Sequence, residues 1–78
     1  ITIIWGTKDN DLIYGTPWND EIHGDNGKDC IVGGDGDDVL YGDNGGDVLI
    51  GGPGFDTIDG GNGKNSCYTG ELNTNCEP

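Results

Sequence analysis

One arrangement of apolar and polar positions recurs every nine residues, without an insertion, from Gly6 to Tyr68. Position one of each repeat is glycine, position six is aspartate until the last repeat has asparagine, and position eight is aliphatic until the last repeat has cysteine. The residues at position eight are Ile13, Ile22, Ile31, Leu40, Leu49, Ile58 and Cys67. Ile4 lies nine residues before the first of them and extends the same pattern. We expect these side chains to form the core.

Each repeat predicts a tight turn followed by a short strand. Glycine at position one, and often at positions two and four, allows the backbone angles that tight turns need. The last three residues suffice for a strand, in which residue eight points to one face and residues seven and nine to the other. One repeat cannot bury its single aliphatic side chain alone, so repeats must stack. We predict one all-β domain over 1–78, with a cap strand at 1–5, seven repeats at 6–68 and a C-terminal cap at 69–78.

Charge narrows the function classes. The 78 residues carry 15 Asp and Glu against 3 Lys and Arg, for a formal net charge of −12. Nucleic-acid partners are excluded because phosphates require basic surfaces, and no apolar run approaches the ~20 residues of a membrane span. No nucleophile stands beside an acid–base partner in the frame, so we expect no enzyme activity. Few apolar residues with a high charge are typical of disordered chains, which indicates that a bound cation is needed.

The pattern G-G-x-G-x-D-x-U-x, with U aliphatic, resembles the RTX (repeats-in-toxin) nonapeptide family of hemolysin-type calcium-binding repeats. The resemblance covers residues 6–68. It implies a parallel β-roll in which two repeats make one coil and alternate repeats lie on opposite sheets. It also implies calcium ions between turns that lie two repeats apart on the same side, and a secreted protein.

The resemblance also implies the ligands. One turn offers the carbonyl oxygens of positions two and four and its position-six aspartate. The turn two repeats further along offers the carbonyls of positions one and three and its own aspartate. Oxygen is the donor that calcium prefers, and about five ions are expected.

Carried onto this chain, the odd-numbered repeats form one row of sites, which we call the odd row. Its first site would use Thr7, Asp9, Asp11, Gly24, Asn26 and Asp29; its second Asp25, Gly27, Asp29, Gly42, Asn44 and Asp47; its third Asp43, Gly45, Asp47, Gly60, Asn62 and Asn65. The third should be the weakest because Asn65 lacks a charge.

The even-numbered repeats form the even row. Its first site would use Thr16, Trp18, Asp20, Gly33, Asp35 and Asp38, and its second Gly34, Gly36, Asp38, Gly51, Pro53 and Asp56. Asp9 and Trp18 stand where the family has glycine, so the first two turns are expected to deviate. We do not expect a sixth site, which would be closed by Thr69, Glu71 and Thr74.

The frame continues past Tyr68 as an eighth repeat with Cys76 at position eight. In a roll of this family, Cys76 would face Cys67 across the core at the C-terminal end. A disulfide between them is expected, and two buried free thiols are the alternative.

The outer faces of the two sheets should differ. Odd-numbered repeats would present Leu12, Tyr14, Cys30, Val32, Val48, Ile50, Ser66 and Tyr68; even-numbered repeats would present Glu21, His23, Val39, Tyr41, Thr57 and Asp59 beside Ile3 and Trp5. The first face is mostly apolar, which predicts a homodimer formed through it. The alternative is an ordinary exposed sheet with a free thiol at Cys30. His23 is expected to be an ordinary surface residue.

These observations predict an extracellular calcium-binding β-roll that folds when it binds calcium. Two alternatives stay open: a structural, adhesive or self-assembling module that calcium rigidifies, or the C-terminal domain of a larger secreted enzyme or toxin. The chain begins at Ile1 without a signal segment. We therefore expect that a signal peptide was removed or that the chain is a piece of a longer one.

Overall fold

The computed structural model describes residues 1–77, and in these every regular element is a short β-strand. The strands are β1 (Thr2–Trp5), β2 (Leu12–Tyr14), β3 (Asp20–His23), β4 (Cys30–Val32), β5 (Val39–Tyr41), β6 (Val48–Ile50), β7 (Thr57–Asp59), β8 (Ser66–Tyr68) and β9 (Leu72–Thr74). Strands β1 to β8 begin at or next to position seven because the first six residues of each repeat form the turn. No helix in the described residues could span a membrane.

The strands form two parallel sheets that alternate along the chain. One sheet has the order β1-β3-β5-β7-β9 and the other β2-β4-β6-β8. Paired residues lie two repeats apart through most of the roll, as in Ile22 with Leu40 and Ile31 with Leu49. Two repeats therefore make one coil, and the predicted parallel β-roll is confirmed.

The core consists of two facing rows of aliphatic side chains, one from each sheet. Its buried members are Ile13, Ile22, Ile31, Leu40, Leu49 and Ile58, with Ile4, Cys67 and Cys76 partly buried against them. Each repeat contributes one side chain, so each coil of two repeats adds only two apolar side chains to the core. The residues at positions seven and nine lie on the outer faces, as the alternation of side chains along a strand predicts.

The continuation of the repeat past Tyr68 is wrong. The closing turn is shorter than a full coil, so Ile58 of β7 pairs with Asn73 of β9, where an unbroken frame would have placed Cys76. The chain then returns to the other sheet, where Ser66 forms an isolated parallel bridge with Glu77. Cys76 therefore reaches the core beside β8 and not from the facing sheet. The predicted cap extends to residue 78, which lies outside the described residues.

The disulfide itself is confirmed. Cys67 and Cys76 are bonded, with their Cα atoms 5.7 Å apart. The bond ties the closing turn to the last repeat at the end of the core, and Cys30 is a free thiol on the outer face.

His23 is more than an ordinary surface residue. Its ring is half-buried and stacks between Trp5 and Tyr41, with ring centroids 3.9 and 4.7 Å away. Its Nε2 lies 2.9 Å from Glu21 Oε2. The strand register places residues of position nine side by side in adjacent coils, and this produces the stack.

Candidate metal centre

The position-six residues form two hydrogen-bonded ladders, one along each edge of the roll. In each step, a backbone N–H donates to the Oδ1 atom of the position-six side chain one coil further along. The distances are 2.8 Å for Asp11 to Asp29, 2.9 Å for Asp20 to Asp38, 2.8 Å for Asp29 to Asp47, 2.9 Å for Asp38 to Asp56 and 2.8 Å for Asp47 to Asn65. One carboxylate oxygen of each inner aspartate thus faces the preceding coil.

The second oxygen of each aspartate faces the next coil, beside a backbone carbonyl. A Cβ added to Gly24 would lie 2.7 Å from Asp29 Oδ2 and 2.8 Å from the carbonyl oxygen of Gly42. The same pair of oxygens surrounds Gly33, at 2.7 Å for Asp38 Oδ2 and 2.9 Å for the carbonyl of Gly51. Only glycine leaves this space open. Each turn therefore brings a carboxylate and a carbonyl of the next coil to one point.

The hydrogen bonding of these Oδ2 atoms shows whether a cation would fit between the coils. Oδ2 of Asp29, Asp38, Asp47 and Asp56 is buried and accepts no hydrogen bond from residues 1–77. A buried carboxylate oxygen without a donor is costly, and native proteins pair such atoms or give them a metal. The residues present therefore fit an oxygen-seeking cation between the coils.

The electrostatics of the ladders agree. Burial raises the pKa of Asp38 from 3.8 to about 7, and that of Asp47 to about 6. Neighbouring acids of the same ladder add to both shifts. Burial also raises the pKa of Asp29 and Asp56. Without a cation, these groups repel one another and favour the protonated form.

The first turn of each row differs from the later turns at position four, as expected, and also at position two. The position-four glycines of the later turns have positive φ angles, whereas Asp9 and Trp18 do not. Thr7 donates its backbone N–H to Asp11 Oδ2 at 2.7 Å and its hydroxyl to Oδ1 at 2.8 Å. Thr16 makes the same two bonds to Asp20, both at 2.8 Å. The Thr7 N–H lowers the pKa of Asp11. The threonines, and not only Asp9 and Trp18, therefore distinguish these turns.

The last turn of the odd row is closed by an amide. Asn65 Oδ1 accepts from Asp47 as an aspartate would, but its Nδ2 replaces the unpartnered oxygen. Nδ2 lies 3.3 Å from the carbonyl oxygens of Gly61 and Gly63 and 3.4 Å from that of Asn75. The side-chain amide thus occupies the cradle formed by these three carbonyl oxygens. In the inner turns, the same place holds the unpartnered Oδ2 atom of an aspartate.

The other predicted ligands are backbone carbonyls of the turns. A Cβ added to the position-four glycine one coil on would collide with the carbonyl oxygens of Asp9, Trp18, Gly27, Gly36 and Gly45. Pro53 lies in the turn between β6 and β7. At position three, Asn44 donates to Asn26 and Asn62 to Asn44, each at 2.9 Å, so these side chains pair with one another. The structure brings the remaining predicted residues, Asp25, Gly34, Asp35, Asp43 and Gly60, into the same stacked turns.

Side chains alone do not form a metal cluster in the described residues, where no three His, Cys, Asp or Glu side chains converge. A cation at these sites would need backbone carbonyls as well.

One side chain of the ladder was not predicted to have this role: Glu71, whose Oε1 accepts from the backbone N–H of Asp56 at 2.6 Å. The repeat frame assigns Glu71 to position three. It takes the place of a position-six residue only because the closing turn is short.

The comparison with protein families agrees with the geometry. The family model described as RTX calcium-binding nonapeptide repeat (4 copies) matches residues 5–40 and 41–73. No curated protein matches this sequence. The matched segments cover nearly all of the chain, and its stacked turns carry the repeat in register. The chain therefore belongs to the RTX calcium-binding nonapeptide repeat family.

Proposed function

We propose that this chain is an extracellular calcium-binding module that folds as one unit when about five calcium ions bind between its turns. The predicted residues of the odd and even rows are the proposed ligands. The observation that carries the proposal is the buried, unpartnered Oδ2 atom of Asp29, Asp38 and Asp47, each beside a carbonyl of the next coil. Five divalent ions would bring the net charge from −12 to about −2.

Calcium suits these turns better than other common metals. The donors are carboxylate and carbonyl oxygens, which favour calcium, magnesium or manganese over zinc or copper. Magnesium demands near-octahedral geometry at about 2.0–2.1 Å and keeps its waters, whereas calcium accepts about 6–8 oxygens at longer and more variable distances. Many fixed carbonyls and a bridging aspartate favour the larger ion.

Calcium binding should be coupled to folding. The core has only two aliphatic side chains per coil, and position-six carboxylates are buried in each ladder. A chain with net charge −12 repels itself when it becomes compact. The binding free energy of the ions then becomes part of the folding free energy.

Two features support an extracellular location. The Cys67–Cys76 disulfide requires an oxidising compartment to persist. Modules outside the cell meet calcium at concentrations that can fill sites of millimolar affinity. A chain that folds on calcium would stay unfolded before export and fold after it.

Calorimetric titration of the demetallated chain tests this proposal. Calcium should bind with a total stoichiometry of about five, and with a strongly negative heat-capacity change because folding buries the core. Magnesium titrated under the same conditions is the matched control and should give little heat. Equal binding of both ions, or none of calcium, would refute the proposal.

A further inference from the structure

The even row does not end at its second site. Because the closing turn is short, the carboxylate of Glu71 arrives where the next position-six aspartate would lie. Its Oε1 accepts from Asp56 at 2.6 Å, as Asp56 Oδ1 accepts from Asp38 at 2.9 Å. The extra methylene of glutamate spans the shorter turn. Glu71 is thus the final member of the even ladder.

The space between Asp56 and this closing turn repeats the geometry one coil earlier. A Cβ on Gly51 would lie 2.6 Å from Asp56 Oδ2 and 2.8 Å from the carbonyl oxygen of Thr69. Asp56 has no exposed surface, and its Oδ2 accepts no hydrogen bond from the described residues. The oxygen that faces this space is therefore as unsatisfied as those in the proposed sites.

We propose that Asp56 and Glu71, with the carbonyls of Thr69, Gly52 and Gly54, form a further calcium site that closes the even row. This inference rests on the proposed function, because it assumes that the other turns bind calcium. Glu71 is exposed, so this site lies at the open end of the roll. Calcium takes water among its ligands, and an exposed site can complete its shell in this way.

No calcium site was expected at this end of the even row, because the repeat frame places Thr74, which has no charge, at position six. The short closing turn removes that objection. Thr74 lies in β9, and Glu71 takes the position-six role in its place.

Charge supports the same site. The carboxylates of Asp56 and Glu71 lie close enough to repel each other, since Glu71 Oε1 accepts from the backbone N–H of Asp56. A divalent cation between the two carboxylates would replace that repulsion with attraction. Thr69 has a φ angle of 55°, in the left-handed region that β-branched residues avoid. Its hydroxyl accepts from the backbone N–H of Gly52 at 2.8 Å, which fixes the closing turn over the site.

The odd row provides the contrast. There, Asn65 Nδ2 already donates to the carbonyls of Gly61, Gly63 and Asn75. An amide nitrogen thus fills the last cradle of the odd row, whereas the last cradle of the even row has two carboxylates. The two rows end with opposite chemistry, and only the even end offers a charged set of oxygens.

Native mass spectrometry of the calcium-loaded full chain tests the proposal. Glu71→Gln keeps the acceptor for Asp56 but removes the charge, and should lower the number of tightly bound calcium ions by one. Glu77→Gln is the matched control, because it removes the same charge from the same end of the chain and should leave the count unchanged. An unchanged count in Glu71→Gln, with calcium bound elsewhere, would overturn the further site alone.

A second measurement needs no variant. In crystals of the calcium-loaded wild-type chain, anomalous scattering should show a peak about 2.3–2.6 Å from a Glu71 carboxylate oxygen and from the Thr69 carbonyl. Peaks at the inner turns with none at Glu71 would refute the further site and leave the proposed function standing. No calcium peaks at any turn would refute the proposed function as well.

Discussion

At the scale of the residue, the position-six aspartate joins two coils through its two oxygens. Oδ1 of Asp38 holds the backbone of Asp20 at 2.9 Å, while its Oδ2 faces the next coil without a partner. Asp11 stands at the edge of the ladder, and both of its oxygens accept from Thr7. The same residue type therefore has different roles in the middle and at the start of a row.

Asp38→Ala should consequently lose about two calcium ions and Asp11→Ala at most one. Native mass spectrometry of both variants under equal calcium measures the difference. Asp37→Asn, at an exposed position beside Asp38, removes the same charge, keeps the acceptor for the Phe55 N–H at 2.8 Å, and should retain the full count. Equal losses from Asp38→Ala and Asp11→Ala would contradict the pairing of turns in adjacent coils.

The raised pKa values predict opposite effects of pH on the metal-free and calcium-loaded states. In the compact metal-free chain, the pKa of Asp38 is about 7 and that of Asp47 about 6, both above 3.8. Their contribution to stability is therefore greatest below pH 4 and is lost as pH rises through 6 and 7. Calcium must displace those protons, so its affinity should fall as pH falls through the same range.

Circular dichroism at pH 8 and pH 5 measures how the stability of the metal-free chain changes with pH. Calcium titration at the same two pH values measures how the calcium affinity changes. The dialysed, metal-free chain should have more strand signal at pH 5, and the calcium-loaded chain should bind more weakly there. Asp38→Asn removes one titrating group and should reduce both dependences. A calcium affinity that is the same at both pH values would show that the inner aspartates are not ligands.

At the scale of the element, the nine-residue frame predicts the strands and their partners because each repeat carries its own turn and its own core residue. The prediction fails after Tyr68, where Thr69 replaces the position-one glycine. There, Thr69 and Asn75 adopt φ angles of 55° and 56°, and Glu71 holds the turn. Such a closing turn depends on contacts with the preceding coil, which no local repeat pattern contains. The hydrogen bonds from Thr7 to Asp11 also lie outside the repeat pattern, because the later repeats have Asp or Gly in place of this threonine.

The end of the odd row can be converted to the chemistry of the inner turns. Asn65→Asp would replace four amide contacts with a carboxylate oxygen facing the carbonyls of Gly61, Gly63 and Asn75. We expect this variant to bind about one calcium ion more than the wild type and to depend more steeply on calcium for folding. Asn19→Asp is the matched control, because it adds the same charge at an exposed site and keeps the acceptor for the Asp37 N–H at 2.8 Å. A folded Asn65→Asp variant with an unchanged calcium count would contradict the capping role of the amide.

At the scale of the whole molecule, the two outer faces remain unequal. Leu12, Tyr14 and Tyr68 are exposed by 62%, 67% and 55% on the four-stranded sheet. A second copy of this chain is the partner that we predict for this apolar face, since a two-fold contact would pair it with itself. The opposite face also exposes Ile3 and Trp5, by 58% and 64%, but the polar side chains of Glu21 and His23 interrupt its apolar surface.

Sedimentation of the calcium-loaded chain at tens of micromolar should therefore show dimers. Val48→Lys with Ile50→Glu should yield monomers that keep the strand signal. Val39→Lys with Thr57→Glu, at paired outward positions of strands β5 and β7 in the other sheet, is the control and should still dimerise. A wild-type chain that is monomeric under these conditions would remove the dimer from consideration.

The central claim is that calcium makes this acidic chain compact, and small-angle scattering tests it most directly. With calcium, the radius of gyration should be close to the 10.6 Å of the folded Cα trace. After chelation at neutral pH, it should rise toward the roughly 27 Å expected of an unfolded chain of this length, and return when calcium is restored. A chelated chain that keeps the compact radius would contradict calcium-coupled folding.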